Sequence, residues 1–360
     1  MNNTMKYLGI FFVVALLAAG CGSNNNGIAP LAAGGGGVTI DQAAGGVPVN
    51  SASALDINDN NVVVGFLEPT AGATFQAAAW NVGAAVTPRS LDPIAGNAFS
   101  AAYAVDDEGK AIGQSSKGTQ KVAVYWPAGA STPVELPALN AAGNSGALGI
   151  SADGSCIVGD AQDAGLASQA VIWIADAGGN FTSPPVVLPV SLVGSAFSSA
   201  NGVARAGAQI SVAGVAEDRL GVAHAMVWTS TDGGAIFSAA DLRTAGEAGS
   251  QAMAVNASGK VVGEAETAPG VFAAVLWDNT AAHTRTILAE NGTASAINDA
   301  GKVVGTASGK ATVWNTAVQG FAPQTLFATA SSVYGTNNGD ATGNFVVGVN
   351  GGKGFVKKVN

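Results

Sequence analysis

Carboxylates and carboxamides recur at one place in this chain, and any chemistry would have to pass through them. Asn58, Asn256, Asn298 and Asn337, with Asp106 and Ser151 at matching positions, each end a short apolar run and precede a tight turn. Such side chains could converge on a ligand. They also hydrogen-bond their own turns readily, and that is the expectation taken here. Asp59, Asp107, Asp153 and Asp299 follow in the turns and look singly like calcium-loop carboxylates. Calcium wants six or more converging oxygens, whereas these fall one to a turn, so neither calcium nor any other cofactor is expected. With only His224 and His283 in the chain, a His-based metal or catalytic cluster is not expected either. Cys156 replaces an apolar strand residue and reads as core.

The elements that must position these groups are repeats. The stretch Ser295-Ala296-Ile297-Asn298-Asp299-Ala300-Gly301-Lys302-Val303-Val304-Gly305, closed by Ala311-Thr312-Val313-Trp314, recurs seven times, near 54–80, 102–126, 147–173, 200–228, 252–277, 294–314 and 333–356. The closing Gly falls at 65, 113, 159, 214, 263, 305 and 348, and all 6 Trp of the chain occupy one repeat position. A period of about 40–50 residues belongs to propeller blades or helical arrays. Here the segments are β-branched, alternating and punctuated by Gly, Asn and Asp, which argues for strands. A helical array or a two-domain chain fits them poorly.

Each unit reads as four strands. Strand A is small-x-small-Ile/Val-Asn, strand B is Val-Val-Gly, strand C carries Ala-x-x-Trp, and strand D centres on Leu91, Leu136, Leu188, Leu242, Leu288 or Leu326. Seven such units predict an all-β, seven-bladed propeller spanning 38–360. Strand A carries Ala104, Gly149, Gly202, Ala254, Ala296 and Gly335 at one matched position, with Asp56 the exception. Small residues suit inner strands crowded about a channel. The indoles should pack between neighbouring blades. The seventh unit lacks a Leu strand, while Val38-Thr39-Ile40 is an unassigned strand before the first unit. It is expected to complete the last blade and hide the open edges.

Only 11% of residues are charged, and 15 basic against 24 acidic residues give a net charge of −9. That balance disfavours nucleic-acid binding, which needs clustered Lys and Arg. In the predicted fold the B–C and D–A loops share one face. It would hold Glu68, Asp160, Asp163, Glu217, Asp218, Glu264 and Glu266, with Asp92, Glu247 and Glu290, against Lys117, Arg219 and Arg243. Such a face could recruit a basic partner or a cation; the plainer reading is a solvated rim.

At the N-terminus, Lys6 and the apolar run from Leu8 to Ala19 have signal-peptide proportions, too short to span a membrane. The run ends Leu17-Ala18-Ala19-Gly20-Cys21, which resembles a bacterial lipobox. The resemblance implies cleavage after residue 20 and a lipid on Cys21. Residues 22–37, GSNNNGIAPLAAGGGG, then read as a flexible tether. The expected location is the bacterial envelope, at the outer membrane or cell surface, with the membrane engaged through that lipid.

The strand A–turn–strand B–strand C pattern, and His224-Ala225-Met226-Val227-Trp228 in particular, resembles the HAF repeat family of probable bacterial extracellular repeats. The resemblance covers about residues 54–356 and implies no general activity. The family's His is replaced here by Gln76, Val122, Gln169, Ala273, Lys310 and Lys353 in the other units.

The functional expectation is a monomeric, non-enzymatic binding scaffold whose partner is an unidentified protein or glycan. The alternative is an extracellular glycan hydrolase or lyase working at the channel mouth, for which only Asp56, Tyr103 and Tyr334 sit on inner strands.

Overall fold

A computed structural model describes residues 38–359 apart from 44–46, 84–85, 193, 245–246, 319–321 and 340–343. The expected signal sequence, the expected lipid site Cys21 and the expected tether therefore lie outside the described residues. The described chain is strands and turns, arranged as seven four-stranded antiparallel sheets and one short two-stranded ribbon. Six sheets use four strands consecutive in sequence. In the seventh the order is Val38–Ile40, Lys353–Val359, Asn344–Asn350 and Ser331–Thr336. Val38 pairs with Val356, Thr39 with Phe355 and Ile40 with Gly354, so the two ends close the ring as the sequence predicts.

Seven apolar clusters hold the blades together, each drawn from two consecutive sheets. Six contain one of the Trp residues, and the seventh, between the sixth and seventh blades, contains Phe355. The Leu of each strand D joins the same clusters, and Ile40 takes that place beside Trp80. Burying a side chain of this size contributes about 2–3 kcal/mol. Indoles also donate across to the preceding blade, among them Trp126 Nε1 to Asp92 O, Trp173 to Pro137 O, Trp228 to Pro189 O and Trp277 to Leu242 O, at 2.6–3.1 Å. Trp314 Nε1 is buried without an acceptor among the described residues.

A β-bulge interrupts the inner strand of every blade. The register slips at Leu55, Tyr103, Leu148, Asn201, Met253, Ser295 and Tyr334. The closing Gly of strand B pairs with the residue just before each bulge, as Gly305 does with Ala294. There a backbone carbonyl stands about where a Cβ would go: Ser53 O is 1.9 Å from that point at Gly65, and Gly146 O 1.9 Å at Gly159. The repeated Gly of the sequence is thus the imprint of a repeated bulge. The small residues after the bulge meet the next blade's backbone. A Cβ on Gly149 would lie 2.8 Å from Asn201 O, and one on Gly202 would lie 3.0 Å from the Ala254 Cα.

The polar ring of the A–B turns latches neighbouring blades together. Each amide oxygen accepts from its own turn, as expected: Val62 N donates to Asn58 Oδ1 at 2.8 Å and Lys302 N to Asn298 Oδ1 at 2.8 Å. Each amide nitrogen also reaches the next blade. Asn58 Nδ2 donates to Asp106 O, Asn256 to Asn298 O, Asn298 to Asn337 O, and Asn337 back to Asn58 O. The following residues form a second circuit, with Asp59 N donating to Asp107 Oδ1, Ala257 N to Asp299 Oδ1 and Asn338 N to Asp59 Oδ1. Asp153 serves its own turn, accepting from Ser151 and Ser155.

Candidate functional site: the central channel

The bulges decide what faces the axis. All seven bulged residues line a central cavity of about 510 Å³, a volume within the usual range for small-molecule sites. Their types vary from blade to blade, so the ring is chemically uneven: apolar at Leu55, Leu148 and Met253, phenolic at Tyr103 and Tyr334, polar at Asn201 and Ser295. Of the sequence candidates for the channel, Asp56, Tyr103 and Tyr334 all reach it.

Asp56 follows the first bulge, where other blades carry Ala or Gly. Its Oδ2 accepts from the Val105 N–H of the next blade at 3.0 Å. Burial pushes its carboxyl up to about 7, against the pull of N–H groups from Val105 and Ile57 and with a small push from the charge of Asp107. Glu264 was expected on the acidic outer face. It follows the closing Gly263 on strand B, lines the cavity and accepts from Thr293 Oγ1 at 2.6 Å. Burial raises its carboxyl despite that hydrogen bond.

Asp160 holds the position equivalent to Glu264 in the third blade. Burial raises it to about 6, opposed by the Ser168 hydroxyl at 3.0 Å. It lies close enough to Tyr103 that its charge adds to burial in raising that phenol. Tyr334 is raised by burial as well.

The two cavity carboxyls stand at different depths. Glu264 pairs with Gln251 near the start of an inner strand, and Asp56 occupies the position equivalent to Ala254, just past the bulge. The bulge adds a residue to the inner strand only, so on the regular partner strand the two levels, Glu264 and Val262, are two residues apart, or roughly 7 Å along the strand. The bulge ring lies between them.

The other predicted acidic residues hold loops. Glu68 accepts from Gly72 N, Asp163 from Gly165 N and Ala167 N, Asp218 from Leu220 N and Val222 N, and Glu266 from Gly270 N. Glu217 is raised by burial and by Asp218. Glu247 is buried and ion-paired with Arg285, and Glu290 accepts from Thr267. His224 is buried between Asp241, 2.7 Å from Nδ1, and Asp218, 3.5 Å from Nε2. His283 lies in a C–D loop at φ 44°. Cys156 is buried, with Arg205 Nη1 3.7 Å from its sulfur.

Sequence reasoning missed Glu264 as a channel residue, and with it Phe66 and Thr306 at the same repeat position. The signal was available: each directly follows a closing Gly.

Together the ring, its closure and its axial cavity define a seven-bladed β-propeller. No protein-family model matches the chain, and no curated protein matches it. Among solved structures it is similar to the β-propeller domain of the Trilobed protease from Pyrococcus furiosus, with a TM-score of 0.51 and 11% identity over 83% of this chain and 91% of that one. It is also similar to a gluconolactonase of Xanthomonas campestris, with a TM-score of 0.45 and 13% identity over 92% of each chain. A Trypanosoma rangeli sialidase gives a TM-score of 0.49 and 10% identity over 91% of this chain and 59% of that one. At these identities the likeness speaks to the fold alone.

Proposed function

We propose that the protein is a lipid-anchored envelope protein whose propeller binds a ligand in its axial channel without transforming it. The observation that carries the reading is the cavity of about 510 Å³. Aromatic, aliphatic and polar side chains converge on it, and a rigid, latched ring holds its shape. In this reading Cys21 carries the lipid, residues 22–37 act as the spacer, and the repeats are of HAF type. The partner is an envelope glycan or a protein segment, not nucleic acid, and the propeller works as a monomer.

The test is a glycan array and an envelope pull-down with the purified full-length chain, followed by incubation of any captured ligand with the protein. Saturable capture with the ligand recovered unchanged supports the reading. Release of new reducing ends or unsaturated products would overturn it in favour of a glycan hydrolase or lyase. That second reading has one observation behind it: burial holds both Asp56 and Glu264 towards the neutral acid, the condition a general acid needs. The anchor is tested separately. Metabolic labelling with a radioactive fatty acid should mark the wild-type chain and not Cys21→Ala.

A further inference from the structure

The charge of the cavity is one-sided. Asp56 and Glu264 line it, and no Lys, Arg or His occurs among its described lining residues. Neither carboxyl has an ion-pair partner among the described residues. The A–B mouth adds Asp59, Asp107 and Asp299, close enough for Asp59 and Asp299 to raise Asp107 on top of its burial. Phe66, Tyr103 and Tyr334 line the same cavity, and aromatic rings attract organic cations.

The depths give this charge a shape. Two carboxyl levels lie roughly 7 Å apart, as counted from strand positions on the unbulged strand. Between them stands the ring with Leu55, Leu148, Met253 and the two phenols. A bare metal ion would leave those apolar walls uncovered. A neutral sugar would leave two desolvated carboxyls without a counter-charge. A chain of methylenes with an ammonium group at each end would satisfy both levels and cover the walls between them.

We propose that the channel binds a linear aliphatic polyamine lying along the propeller axis, with one ammonium group at the Glu264 level and another at the Asp56 level. The proposal rests on the channel-binding reading and names its ligand class. Binding draws Asp56, whose carboxyl burial holds at about 7, into its charged form, so it releases a proton and strengthens as pH rises from 6 to 8.

Spermidine and 1,6-hexanediol serve as probes in titration calorimetry on the full-length chain at constant ionic strength. The expected result is saturable spermidine binding and none by the diol. Proton release should appear as a dependence of the measured heat on the buffer's ionisation enthalpy. Asp56→Asn with Glu264→Gln should weaken spermidine binding at least tenfold. Those substitutions remove buried charge, so the variant is expected to fold; if it does not, the proton release and pH trend of the wild type decide instead. Equal binding by the diol, competition by magnesium chloride at matched charge, or binding insensitive to pH would overturn the proposal. If spermidine fails while a glycan or peptide is captured, the polyamine class falls and the binding propeller stands. If nothing is captured by any route, both fall.

Discussion

The carbonyl oxygen of Thr293 lies 1.9 Å from the point where a Cβ on Gly305 would stand. The same approach, between 1.9 and 2.2 Å, recurs at Gly65, Gly113, Gly159, Gly214, Gly263 and Gly348. In each case the obstructing atom belongs to a paired inner strand and cannot rotate aside.

Gly305→Ala should therefore destabilise the protein by roughly 3 kcal/mol, at the upper end of ordinary overpacking. Gly83, whose added Cβ would meet nothing within 4 Å, provides the control. Urea midpoints of the two alanine variants measure the difference. A Gly305→Ala protein as stable as Gly83→Ala would mean that the bulge yields easily.

Trp277 and Trp314 are both fully buried at the same repeat position. They differ in that Trp277 donates to Leu242 O at 3.1 Å, whereas the Trp314 nitrogen has no acceptor among the described residues. Trp277→Phe should cost about 1 kcal/mol more than Trp314→Phe, the net worth of an ordinary hydrogen bond. Thermal melts of the two variants make the comparison, and equal losses would remove the role assigned to the indole bond.

Ile40 is 1% exposed and stands where other blades have their strand D leucine. Ile40→Ala should cost about 2–5 kcal/mol, comparable to Leu136→Ala in the second blade. Matching urea midpoints for the two variants would show that a blade closed by the chain ends is as firmly held as an uninterrupted one.

Asp56 sets a pH dependence. Its folded carboxyl lies at about 7 against an ordinary value of 3.8, so between these values the folded chain holds a proton that the unfolded chain has lost. The resulting destabilisation is absent below pH 4, grows as pH rises towards 7, and reaches at most about 4 kcal/mol above it. Asp56→Asn should therefore match the wild type near pH 4 and exceed it in stability at pH 8. Denaturant melts across that range test the sign. A variant less stable at pH 8 would mean that the carboxylate is stabilised in a way that burial does not convey.

The architecture was legible because it is written in residue types that few other positions could accept. Trp at one repeat position, Gly at another and a stray Thr-Ile at the start predicted the inter-blade clusters, the blade count and the closure. The channel was less legible. A bulged residue has no required chemistry: Leu55, Tyr103, Asn201 and Ser295 occupy the same place. Only the Gly that faces its neighbour carries a trace of it. Glu264 is expected on the face of the B–C and D–A loops because it stands near the end of strand B. Its place in the cavity comes from its pairing with Gln251, ahead of the bulge on the inner strand. The Asn residues were read as turn braces. That their amide nitrogens cross to the next blade depends on a curvature no single repeat contains.

The closing strand also bears on the order in which the molecule is made. Val38 leaves the ribosome early, yet its partner is Val356. During synthesis the first strand has no partner until the segment around Val356 has been made. The ring can seal only once that segment exists, so damage near Phe355 would leave the earlier blades without their closing strand.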